Sequence, residues 1–209
     1  MSTLSEHWNA IFSSKKDAEL GWHENDASQT AKFLDLIPQH KDATVFLPGA
    51  GTSVLIDALL GKVHHVIAND LSEAALGKLR ARFGMNDRLS LLHHDVSQPL
   101  SDKYFNSIDL WIDRAVLHFL IKEEEIQGYF TNLQAAVRPG GHVLLAEFST
   151  QGAQKCAGLE VRRYSIEEMT MRLGADFELV THEEHTCINP FGSPRPYIYA
   201  LFKHLGVTA

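Results

Sequence analysis

The chain has 209 residues, enough to bury a core without disulfide staples and close to what one domain of ordinary size needs. Its 44% hydrophobic and 22% charged residues exclude wholesale disorder, and a balance of 19 basic to 26 acidic residues, net −7, excludes broad binding to nucleic acid. Two cysteines, Cys156 and Cys187, cannot build a disulfide framework, and no apolar run approaches the ~18 residues of a membrane span.

The stretch from Met1 to Phe12 lacks the basic-then-apolar order of a signal peptide, so a cytoplasmic protein is expected. Residues 1–25 are polar with isolated aromatics, Trp8, Phe12 and Trp22. Ser28 to Ile37 carries Ala31, Phe33, Leu34 and Ile37 at helical spacing, ahead of Pro38. Thr44 to Leu47 is a short buried-strand pattern, broken by Pro48-Gly49-Ala50-Gly51. Val54 to Leu60 starts a helix that Gly61 stops, and Val63 to Ala68 is a second strand closing at Asn69-Asp70. Ser72 suits the N-cap of a helix to Phe83 with Ala75, Leu76 and Leu79 on one face.

Leu89 to His93 and Ser107 to Asp113 read as the third and fourth strands, and Lys122 to Val137 as a helix. Pro139-Gly140-Gly141 turns into a fifth strand, His142 to Phe148. Ile166 to Leu173 is a helix, and Phe177 to Thr186 and Arg195 to Lys203 are two last strands. Their connection is too short for a parallel crossover, so that pair is antiparallel. The expected fold is α/β: a Rossmann-like, open, mostly parallel seven-stranded sheet with helices on both faces and an antiparallel strand near the C-terminal edge. A single domain is expected over 1–209, with an N-terminal helical cover over 1–43, a cofactor-binding core over 44–148 and a substrate-side segment with the terminal strands over 149–209.

In such sheets ligands bind beyond the carboxyl ends of the strands. Gly49-Ala50-Gly51 follows the first strand, where glycine lets backbone approach a ligand; an ordinary tight turn is the alternative. Asp70-Leu71 follows the second, and a carboxylate there can accept from both ribose hydroxyls of a nucleoside, or simply cap the helix. Asp95-Val96 follows the third, placed to accept from an adenine amino group, and Asp113-Arg114 ends the fourth. Acids at consecutive strand ends beside a glycine turn ask for an adenosine-containing ligand. NAD and S-adenosylmethionine are the main candidates, and the third glycine of the dinucleotide fingerprint is Val54 here, which lowers the NAD reading.

With "VFLPGAGTS", "VIANDLSEAAL", "LLHHDV", "IDLWIDRAVLHFL" and "VRPGGHVLLAEF", residues 44–148 resemble a class I S-adenosylmethionine-dependent methyltransferase. Many members have an acid two residues before the first glycine, where it contacts the methionine amino group; here that residue is Leu47. "HWNAIFSSKKDAELGWHEND" and "DRAVLHFL" are similar to segments of thiopurine methyltransferase-like proteins, which methylate soft nucleophiles on small molecules. The resemblance implies that Trp8 and Trp22 help cover the cofactor. It also implies a small-molecule methyl acceptor, a thiol or other soft nucleophile, with S-adenosylhomocysteine as product; the acidic balance and the lack of a long apolar run argue against nucleic acid and membrane as partners. A protein methyltransferase and a non-catalytic S-adenosylmethionine-binding protein are the alternatives.

No catalytic residue is fixed by the sequence. His23 and His118 are candidate bases or substrate contacts, and Arg114 is a candidate to orient an anionic substrate. No metal is expected: His93-His94 point to opposite faces of a strand, as do His182 and His185.

Overall fold

The computed structural model describes residues 3–24, 26–38 and 40–206, so Met1, Ser2, Asn25, Gln39 and 207–209 lie outside the described residues. The chain starts with α1 (Leu4–Ser14), whose Thr3 cap and Glu6 form a reciprocal capping box. Leu4, Trp8, Ile11 and Phe12 share one side of that helix, a period hidden by the polar residues between them. A second helix, α2 (Ser28–Leu34), leads to β1 (Thr44–Leu47) and then α3 (Leu55–Leu60).

The second strand, β2, runs His65–Asp70 rather than from Val63. The amides of Lys62 and Val63 donate back to the Leu59 carbonyl, so these residues finish α3 instead of opening the strand. Asp70 is thereby the last residue of β2. The helix α4 (Glu73–Phe83) is capped by Ser72, and β3 (Leu89–His93) and β4 (Ile108–Arg114) follow. After α5 (Glu123–Ala136) comes β5 (Val137–Phe148), which includes Pro139-Gly140-Gly141, because Val137 already pairs with Ile108. A small hairpin absent from the sequence reading, β6 (Lys155–Cys156) with β7 (Leu159–Glu160), precedes α6 (Ile166–Leu173). The chain ends in β8 (Phe177–Ile188) and β9 (Pro194–His204).

The seven-stranded sheet has the order β3-β2-β1-β4-β5-β9-β8. All pairings from β3 to β5 are parallel, and β9 runs antiparallel to both β5 and β8. The order reverses between β1, which leads to β2 and β3, and β4, which leads toward β5. A crevice opens there at the strands' carboxyl ends.

Both faces of the sheet are covered. On β1, Val45 and Leu47 join the core that holds residues of α2, α3 and α4, while Phe46 joins the one with α5 and α6. Phe46 stacks on Trp111 at 4.4 Å between ring centroids. A third cluster, Phe12, Leu20 and Ala75 with Trp8 and Trp22 against it, fastens the amino-terminal segment across the crevice.

Candidate functional site

The glycine turn after β1 is held in a left-handed conformation, with φ of +50° at Gly49 and +52° at Gly51. A Cβ on Gly49 would lie 2.3 Å from Val116 Cγ2, so only glycine lets these loops meet. Asp70 ties the turn to the next strand: its Oδ2 accepts from Gly51 N at 2.7 Å and its Oδ1 from Ser72 N at 2.7 Å. Burial pushes the Asp70 carboxyl up to about 6, and the backbone donors only partly offset it.

The loop after β3 is locked from α5. Asn132 donates to the carbonyls of Val96 and Gln98 and accepts from Leu100 N. Gly128 lets α5 approach, since a Cβ there would lie 2.0 Å from the Ser97 carbonyl oxygen. Asp95 Oδ1 accepts from both Ser97 N and Ser97 Oγ, which orients its carboxylate at the crevice.

Two narrow cavities of ≈ 60 and ≈ 90 Å³ share the crevice. The first is lined by the glycine turn Gly49–Gly51 together with Leu47, His23 and Glu24. The second is lined by Asp70, Leu71, Asp95 and Val96 on the sheet side and by Trp8 and Phe12 on the cover side. A third, more open cleft of ≈ 340 Å³ lies between the cover and the β8–β9 hairpin and takes in His23, Glu24, His185, Arg195 and Tyr197. Trp22 and Arg114 line all three.

The cover is pinned where the crevice needs it. Asn9 Oδ1 accepts from Ser72 Oγ and Ala74 N at the start of α4, and Ser5 Oγ donates to the Leu71 carbonyl. His7 Nε2 sits 3.1 Å from the Ala157 carbonyl oxygen, which ties α1 to the β6–β7 hairpin. Trp8 stands edge-on to Trp22 at 5.4 Å and to Phe119 at 4.8 Å. Arg114 Nη2 pairs with Glu24 Oε1 at 2.8 Å, and its Nη1 donates to the Trp22 carbonyl.

Two expected site residues lie elsewhere. Asp113 is fully buried beneath the crevice; it accepts from Val116 N, Leu117 N and the Tyr129 hydroxyl and so shapes the loop after β4. It lines none of the three clefts. His118 is also fully buried, stacked on Phe148 at 4.6 Å, and lines none of the three clefts. Its Nδ1 lies 2.6 Å from Glu147 Oε2 without making a hydrogen bond, and burial drives its pKa down to about 3. A neutral, enclosed imidazole cannot take a proton from an acceptor it does not meet. The end of β2 brings Asp70 to the crevice whereas the end of β4 carries Asp113 under it, a difference of depth that spacing does not encode.

The structure also brings in residues that the sequence reading passed over: Asn9, Glu24, Val116, Phe119, His185 and Tyr197. Glu24 had a signal, since it follows Trp22-His23 within the aromatic stretch. Val116 and Tyr197 had none, because only the sheet order carries them to the crevice.

Residues 48–143 match a protein-family model described as a methyltransferase domain. Superposition on solved structures extends the likeness to almost the whole chain. The fold is that of S-adenosylmethionine-dependent methyltransferases. One such methyltransferase, from Anabaena variabilis, superposes with a TM-score of 0.77 at 17% identity over 96% of this chain and 93% of its own. The Burkholderia thailandensis 1,6-didemethyltoxoflavin-N1-methyltransferase, solved with 1,6-didemethyltoxoflavin and S-adenosylhomocysteine bound, gives 0.71 at 20% identity over 98% and 92%. In sequence, a demethylmenaquinone methyltransferase from Clavibacter sepedonicus is 30% identical over 102 residues, which is 48% of this chain and 39% of that relative. The glycine turn and the acids Asp70 and Asp95 line the crevice at the reversal of strand order.

Among the described residues no group of three or more His, Cys, Asp or Glu is placed to hold a metal ion, and both cysteines are free thiols. No helix among them is long and apolar enough to cross a membrane.

Proposed function

We propose that this chain is an S-adenosylmethionine-dependent methyltransferase that acts on a small-molecule acceptor and releases S-adenosylhomocysteine. The carrying observation is the meeting of three clefts at Trp22 and Arg114: two belong to the glycine turn and the strand-end acids, and the third opens toward β8 and β9.

The residues present fit the cofactor. Asp70 spends one lone pair of each oxygen on a backbone N–H and keeps a second for a ribose hydroxyl. Asp95 and Val96 suit the adenine end, and the backbone of Gly49–Gly51 the thioether end. When bound, the cofactor supplies an activated methyl group on a sulfonium. The chain's part is to bring the acceptor's lone pair into line behind that methyl and to exclude water. Such positioning supplies several kcal/mol of the barrier. Trp22, edge-on to Trp8 and at the junction of the clefts, gives a cation an aromatic neighbour worth ~0.5–2 kcal/mol.

The third cleft, at ≈ 340 Å³, has the volume of a small-molecule site. The Burkholderia relative's bound heterocycle supports an acceptor of that kind. The finer reading is a soft nucleophile such as a thiol, supported by the resemblance of the His7–Asp26 stretch to thiopurine methyltransferase-like proteins. A thiolate attacks without a strong protein base, and the buried His118 offers none. His23 and His185 line the cleft and remain the groups that could help an acceptor lose its proton.

Turnover of labelled S-adenosylmethionine against matched thiols, amines and carboxylic acids tests this. Thiols should turn over, at rates that rise with pH up to each thiol's pKa. Turnover of amines or acids with every thiol inert overturns the soft-nucleophile reading. Binding of S-adenosylhomocysteine with no turnover of any acceptor overturns the enzyme reading.

A further inference from the structure

The acid expected two residues before Gly49 is missing, and an apolar residue, Leu47, stands there. Leu47 lines the same narrow cavity as Glu24, which arrives from the amino-terminal segment. Glu24 is not a surface carboxylate: its side chain is 18% exposed and that of its partner Arg114 is 11% exposed. Burial pushes the Glu24 carboxyl up, against the pull of Arg114. Burial also opposes the Arg114 charge, but Tyr197 and Glu24 more than offset it and its pKa rises.

A buried ion pair facing a cavity is an unusual lining, since breaking into it with a neutral ligand leaves charges uncompensated. A zwitterion is the ligand that leaves neither charge short. An α-amino acid carries an ammonium and a carboxylate on one carbon, the complement of a carboxylate beside a guanidinium. Arg114 has capacity for this: its Nε is buried without a partner, while Nη1 and Nη2 serve the Trp22 carbonyl and Glu24.

We propose that Glu24 and Arg114 form a zwitterion subsite for the methionyl tail of the cofactor, with Glu24 accepting from the α-ammonium in place of the missing acid at Leu47 and Arg114 holding the α-carboxylate. The inference rests on the methyltransferase reading above. It also makes the cover part of the cofactor site, because Glu24 belongs to the cover and Arg114 to β4.

The test is calorimetry on the whole chain with three ligands: S-adenosylhomocysteine, its analogue with the α-amino group replaced by hydrogen, and methylthioadenosine, which lacks the amino-acid tail. The wild type should bind S-adenosylhomocysteine at least tenfold more tightly than the deaminated analogue. Glu24→Gln should lose that preference and weaken S-adenosylhomocysteine by about ten- to a hundred-fold, the range for a charge-assisted hydrogen bond. Methylthioadenosine should bind both proteins within about twofold, and Glu24→Asp should restore part of the preference. The proposal is overturned if the wild type does not discriminate against the deaminated analogue, if Glu24→Gln keeps the preference, or if it weakens all three ligands alike. The comparison of ligands on the wild type stands even where a variant fails to fold. If the wild type binds none of the three, it is the methyltransferase reading that fails.

Discussion

Asp70 shows how one residue couples structure to ligand. Its carboxylate joins the glycine turn to the start of α4, at 5% exposure, yet lines the cleft where a ribose would lie. Asp70→Ala should weaken S-adenosylhomocysteine by about ten- to a hundred-fold, as loss of a charge-assisted acceptor does. The sign of the pH dependence follows from burial. With its pKa raised to about 6, Asp70 is charged above that pH and protonated below it. Two ribose hydroxyls need an ionised acceptor, so affinity should fall as pH drops below about 6, by at most about tenfold per unit. Calorimetry from pH 5 to 8 checks it; an affinity flat across that range removes Asp70 from the ribose.

At the scale of the element, α1 decides access. Its apolar side narrows the crevice with Trp8 and Phe12, and the cavity left beside them, ≈ 90 Å³, is far below the ~300 Å³ of an ordinary ligand pocket. The helix should therefore shift to admit a nucleoside and settle again around it. Asn9 is its latch on α4, so Asn9→Ala removes a cap-like acceptor worth ~1 kcal/mol and favours the open arrangement. Saturating S-adenosylhomocysteine should slow protease cleavage around Lys15 and Lys16 in the wild type, and less so in Asn9→Ala. Equal cleavage with and without ligand would make the segment a passive tail.

The whole molecule carries an electrostatic load under the site. Glu147 is fully buried and its pKa is pushed up to about 7, whereas His118 beside it is pushed down to about 3, both by burial. Asp113, also fully buried, is raised well above its ordinary value by burial first and then by Glu147. A carboxyl with a raised pKa holds more protons folded than unfolded, so Glu147 takes stability away as pH rises from about 4.5 to about 7. A histidine with a depressed pKa does the reverse, and His118 takes stability away as pH falls from 6.5 toward about 3. Between these limits the two oppose each other. The melting temperature of Glu147→Gln relative to wild type should climb as pH goes from 5 to 7. That of His118→Asn relative to wild type should climb as pH falls from 6 to 4. Parallel curves for all three proteins would show that neither group changes its ionisation on folding.

Apart from α1 and the β6–β7 hairpin, the order of helices and strands was legible in the sequence, with the antiparallel last pair and the strand-end acids, because apolar periodicity and turn residues are local properties. So was the departure at Leu47, which is a matter of spacing alone. Depth was not. Asp70 and Asp113 both sit at strand ends, yet one lines the crevice and the other lies beneath it, taken up by the amides of Val116 and Leu117. His118 read as a candidate base, and Phe119 with Glu147 and Phe148 of β5 enclose it. Glu24 was visible as one acid in a polar stretch, and only the packing of α1 on α4, with the Trp22 carbonyl accepting from Arg114, places it on Arg114 at the cleft where the missing acid would have been. Sequence determines which segments form helices and strands; which charges meet is decided by long-range packing, since burial and pairing depend on residues 90 positions apart, as from Glu24 to Arg114.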